Sequence, residues 1–150
     1  RLLYLARVEH GSDTGKSIQV RRFFDDLLER YAPRVLFSFD DAPETIRIPS
    51  DQLTSAVQNL IENALRHGGE EPVEVLVKNG GRKLAIEVRD HGKGIAPANQ
   101  SRVFEPFFTT ERDRGGTGLG LAIVRAIADK HGGSVCFVTG PTGTTFVLIL

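Results

Sequence analysis

The stretch NLIENALRHGG, residues 59–69, decides the fold, because its apolar residues recur with the period of an α-helix. At about 100° per residue, one side of this helix collects Leu53, Val57, Leu60, Ile61, Ala64 and Leu65, and that side must face a core. The opposite side carries Asn59, Glu62, Asn63 and Arg66, where a solvated helix face normally carries lysine and glutamate. This composition raises the question of whether the polar face has a task other than solvation.

The segments around this helix predict an α+β domain. Ser50 or Asp51 is the expected N-cap, and the glycines at 68 and 69 are the expected end. Apolar runs predict strands in SIQV (17–20), RVLFSFD (34–40), TIRIP (45–49), PVEVLVKN (72–79), KLAIEVRD (83–90), SVCFV (134–138) and TTFVLIL (144–150). Two more helices are predicted in RRFFDDLLERYAP (21–33) and TGLGLAIVRAIADKHGG (117–133). Because neighbouring strands look like hairpins, we expect a two-layer sandwich, with a mixed or mainly antiparallel sheet and helices on one face.

Composition bounds the size and class of the domain. A chain of 150 residues with 40% hydrophobic content fits one domain. Nineteen basic and nineteen acidic residues give zero net charge, so we expect no nucleic-acid binding and no membrane contact by this domain. Cys136, the single cysteine, is predicted to be a buried small hydrophobe in a reducing compartment. Because the chain starts without methionine and ends on a predicted strand, we expect an excised domain of a longer protein.

Two glycine-rich segments indicate backbone that approaches a ligand closely. In RDHGKGI, residues 89–95, Asp90 ends a strand, and Gly92 and Gly94 permit a tight turn without a Cβ in the way, although an ordinary turn explains the segment equally well. In GGTGLGL, residues 115–121, alternate glycines run into a helix whose N-terminal N–H groups can bind phosphate. Glycines used only for close helix packing are the alternative there.

The polar face of the opening helix fits the same kind of ligand. Asn63 carries an amide oxygen, a neutral ligand that suits Mg²⁺ when the metal is shared with phosphate groups. Asn59, one turn earlier, is expected to hold a metal-bound water or a phosphate oxygen, and Arg66, one turn later, to meet phosphate charge. A polar face that is merely solvated is the alternative.

Taken in order, these motifs resemble the catalytic ATP-binding domain of bacterial two-component sensor histidine kinases, a member of the GHKL superfamily. QNLIENALRH (58–67) resembles the N box of that family, DHGKGI (90–95) its first glycine box, FEPFF (104–108) its phenylalanine box, GTGLGL (116–121) its second glycine box and GTTF (143–146) its closing strand motif. The likeness covers most of the chain from about residue 17, and four boxes in fixed order, followed by the strand motif, are far more specific than any one alone.

The resemblance implies a fold and two cofactors. The fold is a two-layer α/β sandwich of the Bergerat type, with a mixed sheet of about five strands and three helices on one face. The cofactors are ATP and Mg²⁺, bound between the helices and a lid formed by residues 96–116. Phe104 and Phe107 are expected to anchor this lid on the domain, and a small cluster beneath a loop is an equally compatible description of them.

The resemblance also implies roles for individual residues. Asp90 would receive the adenine amino group with assistance from Thr144, and Asn63 would be the catalytic, metal-binding residue. Arg66 and His67 would contact phosphates or ribose. The full implied cofactor-binding set is Asn59, Asn63, Arg66, His67, Asp90, Gly92, Gly94, Ile95, Gly116, Thr117, Gly118, Leu119, Gly120, Leu121 and Thr144.

By the same likeness, residues 1–16 are the tail of a dimerisation and phosphoacceptor helix with its linker, and residues 17–150 are the catalytic domain. The histidines at positions 10, 67, 91 and 131 lack the acceptor pattern of the family, so the phosphorylated histidine is expected on a separate phosphoacceptor domain of the same kinase. The other implied partner is a downstream response regulator, and the parent protein is expected to be a homodimer. The domain is expected in the cytoplasm, and the sequence leaves open whether the parent is anchored in the inner membrane.

Two positions depart from the family pattern. His91 stands where asparagine is common, which leaves the glycine frame intact. Glu111 stands where lysine is frequent, so positive charge moves to Arg112 and Arg114, and the lid residue that meets the γ-phosphate is left open.

One position separates the candidate functions. Hydrolytic relatives, and anti-sigma serine kinases, carry a glutamate one turn before the metal asparagine, where it acts as a general base, but Asn59 stands there in this chain. Glu62 is about 100° away around the helix from Asn63 and is a poor substitute. Phosphoryl transfer to histidine is therefore favoured over an ATP hydrolase or anti-sigma serine kinase, with a non-catalytic ATP-binding module as the third alternative.

Overall fold

The structure, a computed structural model, describes residues 16–110 and 117–150. Its strands are β1 (Ser17–Gln19), β2 (Val35–Asp40), β3 (Thr45–Arg47), β4 (Val73–Asn79), β5 (Leu84–Arg89), β6 (Ser134–Gly140) and β7 (Gly143–Ile149). Its α-helices are α1 (Val20–Tyr31), α2 (Ser50–His67) and α3 (Gly120–Lys130), and Pro97–Arg102 forms a 3₁₀ helix. Within these residues, no helix is long and apolar enough to cross a membrane.

Five strands form one mixed sheet in the order β2-β4-β5-β7-β6. Only the β2–β4 pair of this sheet is parallel; the remaining pairs within the described residues are antiparallel. The mixed sheet of five strands with three α-helices confirms the predicted α+β class. It also fits the predicted helix layer, because one face of the sheet and the helices share a single hydrophobic cluster.

The expected hairpin between β2 and β3 is wrong. β3 pairs instead with β1 in a separate two-stranded ribbon, and β2 pairs with β4, with Val35 opposite Val73. A parallel pair needs a long crossover, which α2 supplies. The pairing with β4 brings the inward-facing residues of β2 into the same core as Val75 and Val77.

The apolar side of α2 lies where the sequence predicts. Leu53, Val57, Leu60, Ile61 and Ala64 are buried in the main cluster, and Leu65 packs against it. Strand residues of the inner sheet face alternate with outward residues, as in Val73, Val75 and Val77 of β4. On the outer face, Lys78 and Glu87 form an ion pair at 2.5 Å. The side chain hydrogen bond and charge of Glu87 raise the pKa of Lys78.

The boundaries of two helices differ from the prediction. Neither Ser50 nor Asp51 caps α2; Pro49 occupies the cap position, and its carbonyl oxygen accepts hydrogen bonds from the N–H groups of Gln52 and Leu53. The third helix begins at Gly120 rather than at Thr117. Glycine lowers helix propensity, which explains why the glycine-rich start of the predicted helix remains a turn.

The prediction for Cys136 is also wrong, because this side chain is exposed. β6 lies at one edge of the sheet, and its inward positions are taken by Val135 and Phe137. An apolar run on an edge strand has one solvated face, so alternate residues of that run lie outside the core.

Candidate functional site

A pocket of about 340 Å³ lies between the polar face of α2, the end of β5 and the start of α3. This volume lies within the usual range for small-molecule sites. Twelve residues of the predicted binding set line it, namely Asn59, Asn63, Arg66, His67, Asp90, Gly94, Ile95, Thr117, Gly118, Gly120, Leu121 and Thr144. Gly92 and Leu119 are not among the lining residues, and Gly116 is outside the described residues. The fold thus brings together motifs that are up to 85 residues apart in the chain.

Asp90 follows the last residue of β5 and is held by backbone hydrogen bonds. Its side chain is deeply buried, with 3% of the residue exposed. Oδ1 accepts hydrogen bonds from the N–H groups of Gly92 at 3.0 Å and Thr144 at 3.1 Å. Because one carboxylate oxygen accepts about two such bonds, Oδ2 is the atom that can receive a donor from a ligand.

The glycine loop after Asp90 is pressed against neighbouring backbone. Gly94 has φ +84°, and a Cβ at this position would overlap the carbonyl oxygen of Gly140. The N–H of Ile95 donates to Thr139 Oγ1 at 2.9 Å, which ties the end of the loop to β6. The loop is therefore fixed on both sides, and the strand-end motif is more than a solvent-exposed turn.

The polar face of α2 forms one wall of the pocket. The Asn59 amide group donates to the carbonyl oxygen of Ser55 at 2.8 Å and to Ser55 Oγ at 3.2 Å. This pairing directs Asn59 Oδ1 toward the start of α3, where a Cβ on Gly120 would lie 3.0 Å from it. Glycine at 120 thus lets the N-terminus of α3 approach the asparagine. Asn63 and Arg66 continue the same wall along the helix.

The phenylalanine motif fastens the loop that leads to α3. The Phe104 ring lies 6.1 Å from the ring of Phe137 and 6.2 Å from that of Phe146, in an aromatic cluster on the sheet. Phe107 is 51% exposed, and its N–H donates to the carbonyl oxygen of Gly118 at 2.7 Å. Phe104 thus packs as predicted, whereas Phe107 is fastened through its backbone. Of the predicted lid at 96–116, residues 111–116 lie outside the described residues.

Comparison with known proteins identifies the family of this pocket. Residues 49–150 match the model of the family described as histidine kinase-, DNA gyrase B-, and HSP90-like ATPase. The chain belongs to this ATPase family. The match includes every described residue of the pocket, because the lining residues run from Asn59 to Phe146.

Curated relatives of this ATPase domain are named as a sensor-like histidine kinase and as a sensor protein. The chain is 42% identical over 118 residues to the sensor-like histidine kinase SenX3 of Mycobacterium tuberculosis, covering 73% of this chain and 29% of that protein. It is 36% identical over 123 residues to the alginate biosynthesis sensor protein KinB of Pseudomonas aeruginosa, covering 79% of this chain and 21% of that protein. The chain thus spans less than a third of the length of these relatives.

Solved structures share the fold of this ATPase domain. The mycobacterial sensor histidine kinase MprB matches with a TM-score of 0.69 at 27% identity, covering 91% of this chain and 97% of that chain. Full-length ShkA in complex with AMPPNP matches with a TM-score of 0.85 at 24% identity, covering 99% of this chain and 34% of that chain. Both likenesses support the α+β sandwich described above.

The pocket of this ATPase domain also contains residues that the sequence interpretation missed. Lys93 lines it from within the glycine loop, and Glu62 lines it from α2 although helical geometry made Glu62 a poor candidate. Lys93 lies between Gly92 and Gly94 of the first glycine motif, and this position was a signal that could have identified it. Other added residues are Ala96, Asn99, Val103, Phe108, Thr109, Thr110 and Phe146.

One polar residue of the glycine loop points away from the pocket. His91 turns away from the pocket, with Nε2 2.8 Å from Glu74 Oε2 and Nδ1 3.3 Å from Glu71 Oε2. The departure from the family pattern at position 91 therefore leaves the pocket wall unchanged. In the core, burial and then the nearby charge of Glu62 raise the pKa of the Tyr31 phenol.

Proposed function

We propose that this chain is the ATP-binding catalytic domain of a two-component sensor histidine kinase. It binds Mg-ATP and donates the γ-phosphoryl group to a histidine on a separate phosphoacceptor domain. The observation that carries the proposal is the meeting of Asp90, Asn63 and the start of α3 in one pocket of an ATPase-family domain. The name of SenX3, a sensor-like histidine kinase, supports the choice of reaction, and that of KinB, a sensor protein, supports a role in sensing.

Asp90 receives the base of the nucleotide. Oδ2 accepts the exocyclic amino group of adenine, while the two N–H groups on Oδ1 hold the carboxylate in place. Thr144, which is 4% exposed, lies beside this carboxylate through its own N–H and assists with its hydroxyl. A Cβ at Gly92 or Gly94 would overlap the carbonyl oxygen of His67 or Gly140, so glycine at both positions lets the loop, which ends at Ile95, pack closely against the walls of the base site.

Asn63 is the proposed metal ligand. Within residues 16–110 and 117–150, no group of three or more histidine, cysteine or acidic side chains could hold a metal ion. Mg²⁺ fits this donor set, because it usually retains waters and takes few protein ligands besides the phosphates of its substrate. When bound, the metal neutralises phosphate charge. The amide oxygen of Asn63 would hold the metal, and Asn59 Oδ1 would accept a hydrogen bond from a water on it.

The phosphates are bound by charge and by backbone N–H groups. Arg66 and His67 line the pocket near the end of α2, and Thr117, Gly118, Gly120 and Leu121 line it at the start of α3. The N–H groups at a helix N-terminus and the positive end of the helix dipole favour an anion. We assign Gly116 and Leu119 to the same backbone cradle, with Gly116 outside the described residues.

The residue at position 59 favours transfer over hydrolysis. The amide nitrogen of Asn59 is engaged by Ser55 and is not a base, so no general base stands one turn before Asn63. In phosphoryl transfer the protein mainly positions the phosphate and stabilises its charge, so the nucleophile can come from another domain. This division of labour fits a histidine acceptor.

We also propose the organisation of the parent protein. Residues 1–16 are the end of a dimerisation helix with its linker, and residues 17–150 are the catalytic domain. The parent is a homodimer whose phosphoacceptor domain passes the phosphoryl group to a response regulator. Because ATP is the substrate, we assign the domain to the cytoplasm.

The test uses γ-labelled ATP, Mg²⁺ and this domain, alone and with the phosphoacceptor domain of the same kinase as a separate polypeptide. We expect acid-labile label on the phosphoacceptor domain only, and none when an Asp90→Asn variant replaces the domain. Rapid release of free phosphate by the domain alone, with no labelled protein, would overturn the proposal in favour of a hydrolase.

A further inference from the structure

Thr139 of β6 joins two walls of the base end of the pocket, although it belongs to no motif of the site. Its Oγ1 accepts a hydrogen bond from the Ile95 N–H at 2.9 Å and lies 2.8 Å from Thr144 Oγ1. Ile95 closes the glycine loop, and the N–H of Thr144 donates to Asp90 Oδ1. Thr139 therefore touches both the loop and the strand that hold the aspartate.

These bonds involve the hydroxyl groups of Thr139 and Thr144, and they limit the directions in which the two hydroxyl protons can point. A threonine hydroxyl has one proton to donate and two lone pairs to accept with. The Ile95 N–H uses one lone pair of the Thr139 hydroxyl, and either hydroxyl can donate in the bond between Thr139 and Thr144. Donation from Thr139 to Thr144 Oγ1 satisfies the Thr139 proton within the protein. The proton of Thr144 is then directed into the pocket, which Thr144 lines.

The base end thus presents an acceptor, Asp90 Oδ2, beside a donor, the Thr144 hydroxyl. Adenine has the complementary edge, with an amino donor beside the acceptor nitrogen N1. Guanine has the reverse, with an oxo acceptor beside an N1–H donor. Guanine would leave the groups of both residues unpaired in a buried site, and a site built for specific hydrogen bonds rejects a ligand that cannot make them.

We propose that Thr139 is a positioning residue that sets the adenine specificity of this pocket. It directs the Thr144 hydroxyl toward the base as a donor and holds the glycine loop at Ile95. The inference rests on the proposed ATP-binding function and deepens it, because it names the group that selects the base.

The test compares ATP and GTP affinities by calorimetry. Thr139→Val keeps the side-chain shape and removes the hydroxyl, and Thr139→Ser keeps the hydroxyl. Thr145→Val is the matched control, because Thr145 lies on the opposite face of β7 and faces away from the pocket. We expect Thr139→Val to lose about tenfold in ATP affinity with GTP affinity unchanged, since one hydrogen bond is worth about that factor. Thr139→Ser and Thr145→Val keep the ATP-to-GTP ratio of the wild type.

Other outcomes separate this inference from the proposed function. A wild-type domain that binds neither nucleotide overturns the proposed function. A wild-type domain that binds GTP as tightly as ATP, or a Thr139→Val ratio equal to that of the wild type, overturns the inference alone. If Thr139→Val does not fold, as judged by circular dichroism, the ratio is measured on Thr139→Ala, which also lacks the hydroxyl and adds no atom.

Discussion

The proposed base end and phosphate end of the pocket differ in how deeply their side chains are buried and in what holds them. At the base end, Asp90 and Thr144 are 3% and 4% exposed, and backbone N–H groups hold the carboxylate. At the proposed phosphate end, side chains of one helix face act together with backbone N–H groups at the start of α3, and of these side chains Asn63 is half-buried and Arg66 is exposed. A group held by backbone bonds is preorganised, whereas an exposed arginine must lose rotamer freedom on binding. Recognition of the base is therefore expected to be rigid, and contact with phosphate adjustable.

The largest effect is expected at the rigid end, from Asp90→Asn. Asparagine can still accept the N–H bonds of Gly92 and Thr144 through its oxygen, but it then turns an NH₂ group toward the amino group of adenine. We expect ATP, ADP and adenosine affinity to fall by about 100-fold or more, because two donors face each other in a buried site. Calorimetry measures the affinities, and a melting temperature close to that of the wild type shows that the fold is retained. Unchanged adenosine binding would remove Asp90 from the base site.

Asn63→Ala tests the metal ligand at the adjustable end. We expect the rate of phosphoryl transfer to fall roughly 30-fold, because the side chain that orients Mg²⁺ is lost while the base site is intact. ATP affinity in the presence of EDTA should match that of the wild type, since the metal is then absent from both proteins. A variant that loses ATP affinity equally with Mg²⁺ and with EDTA would show that Asn63 acts on the nucleotide without the metal.

Gly94→Ala tests the rigidity of the base end itself. The residue has φ +84°, and its Cβ would overlap the carbonyl oxygen of Gly140, so the glycine loop must shift. We expect the free energy of unfolding to fall by about 2 kcal/mol and ATP affinity to fall about tenfold. Gly140→Ala is the matched control, because a Cβ at Gly140 meets no atom within 4 Å. Equal denaturation midpoints for the two variants would mean that the loop accommodates a side chain and is not rigid.

The sequence predicted the parts of this molecule that depend on local periodicity. The buried side of α2 follows from the spacing of Leu53, Leu60 and Ala64. The opposite side of the same helix contributes some of the residues that line the pocket. The partner of β2 did not follow, because the alternation of a strand marks its buried face and says nothing of which strand lies beside it. Cys136 was misjudged for a related reason, since an apolar run does not reveal that its strand is at the edge of the sheet.

The site was predictable where motifs are contiguous and less so where contacts cross the chain. Asp90 and Asn63 stand in motifs and line the pocket together. Thr139 stands in no motif, and its bond to Ile95 spans 44 residues, so only the folded chain brings the two together. Helical angles likewise understated Glu62, because a long side chain reaches beyond the arc that its Cα occupies.

The smallest effect separates the two ends most cleanly. Arg66→Ala removes a charge that we propose meets the phosphates, so we expect ATP affinity to fall about fivefold and adenosine affinity to stay unchanged. Because Arg66 is exposed, the loss should shrink as salt is raised, whereas the loss caused by Asp90→Asn should not. Arg66→Lys, which keeps the charge, should recover most of the affinity at low salt. Calorimetry with ATP and adenosine at two ionic strengths makes the comparison, and a salt-independent loss of adenosine affinity in Arg66→Ala would mean that the two ends of the pocket do not act separately.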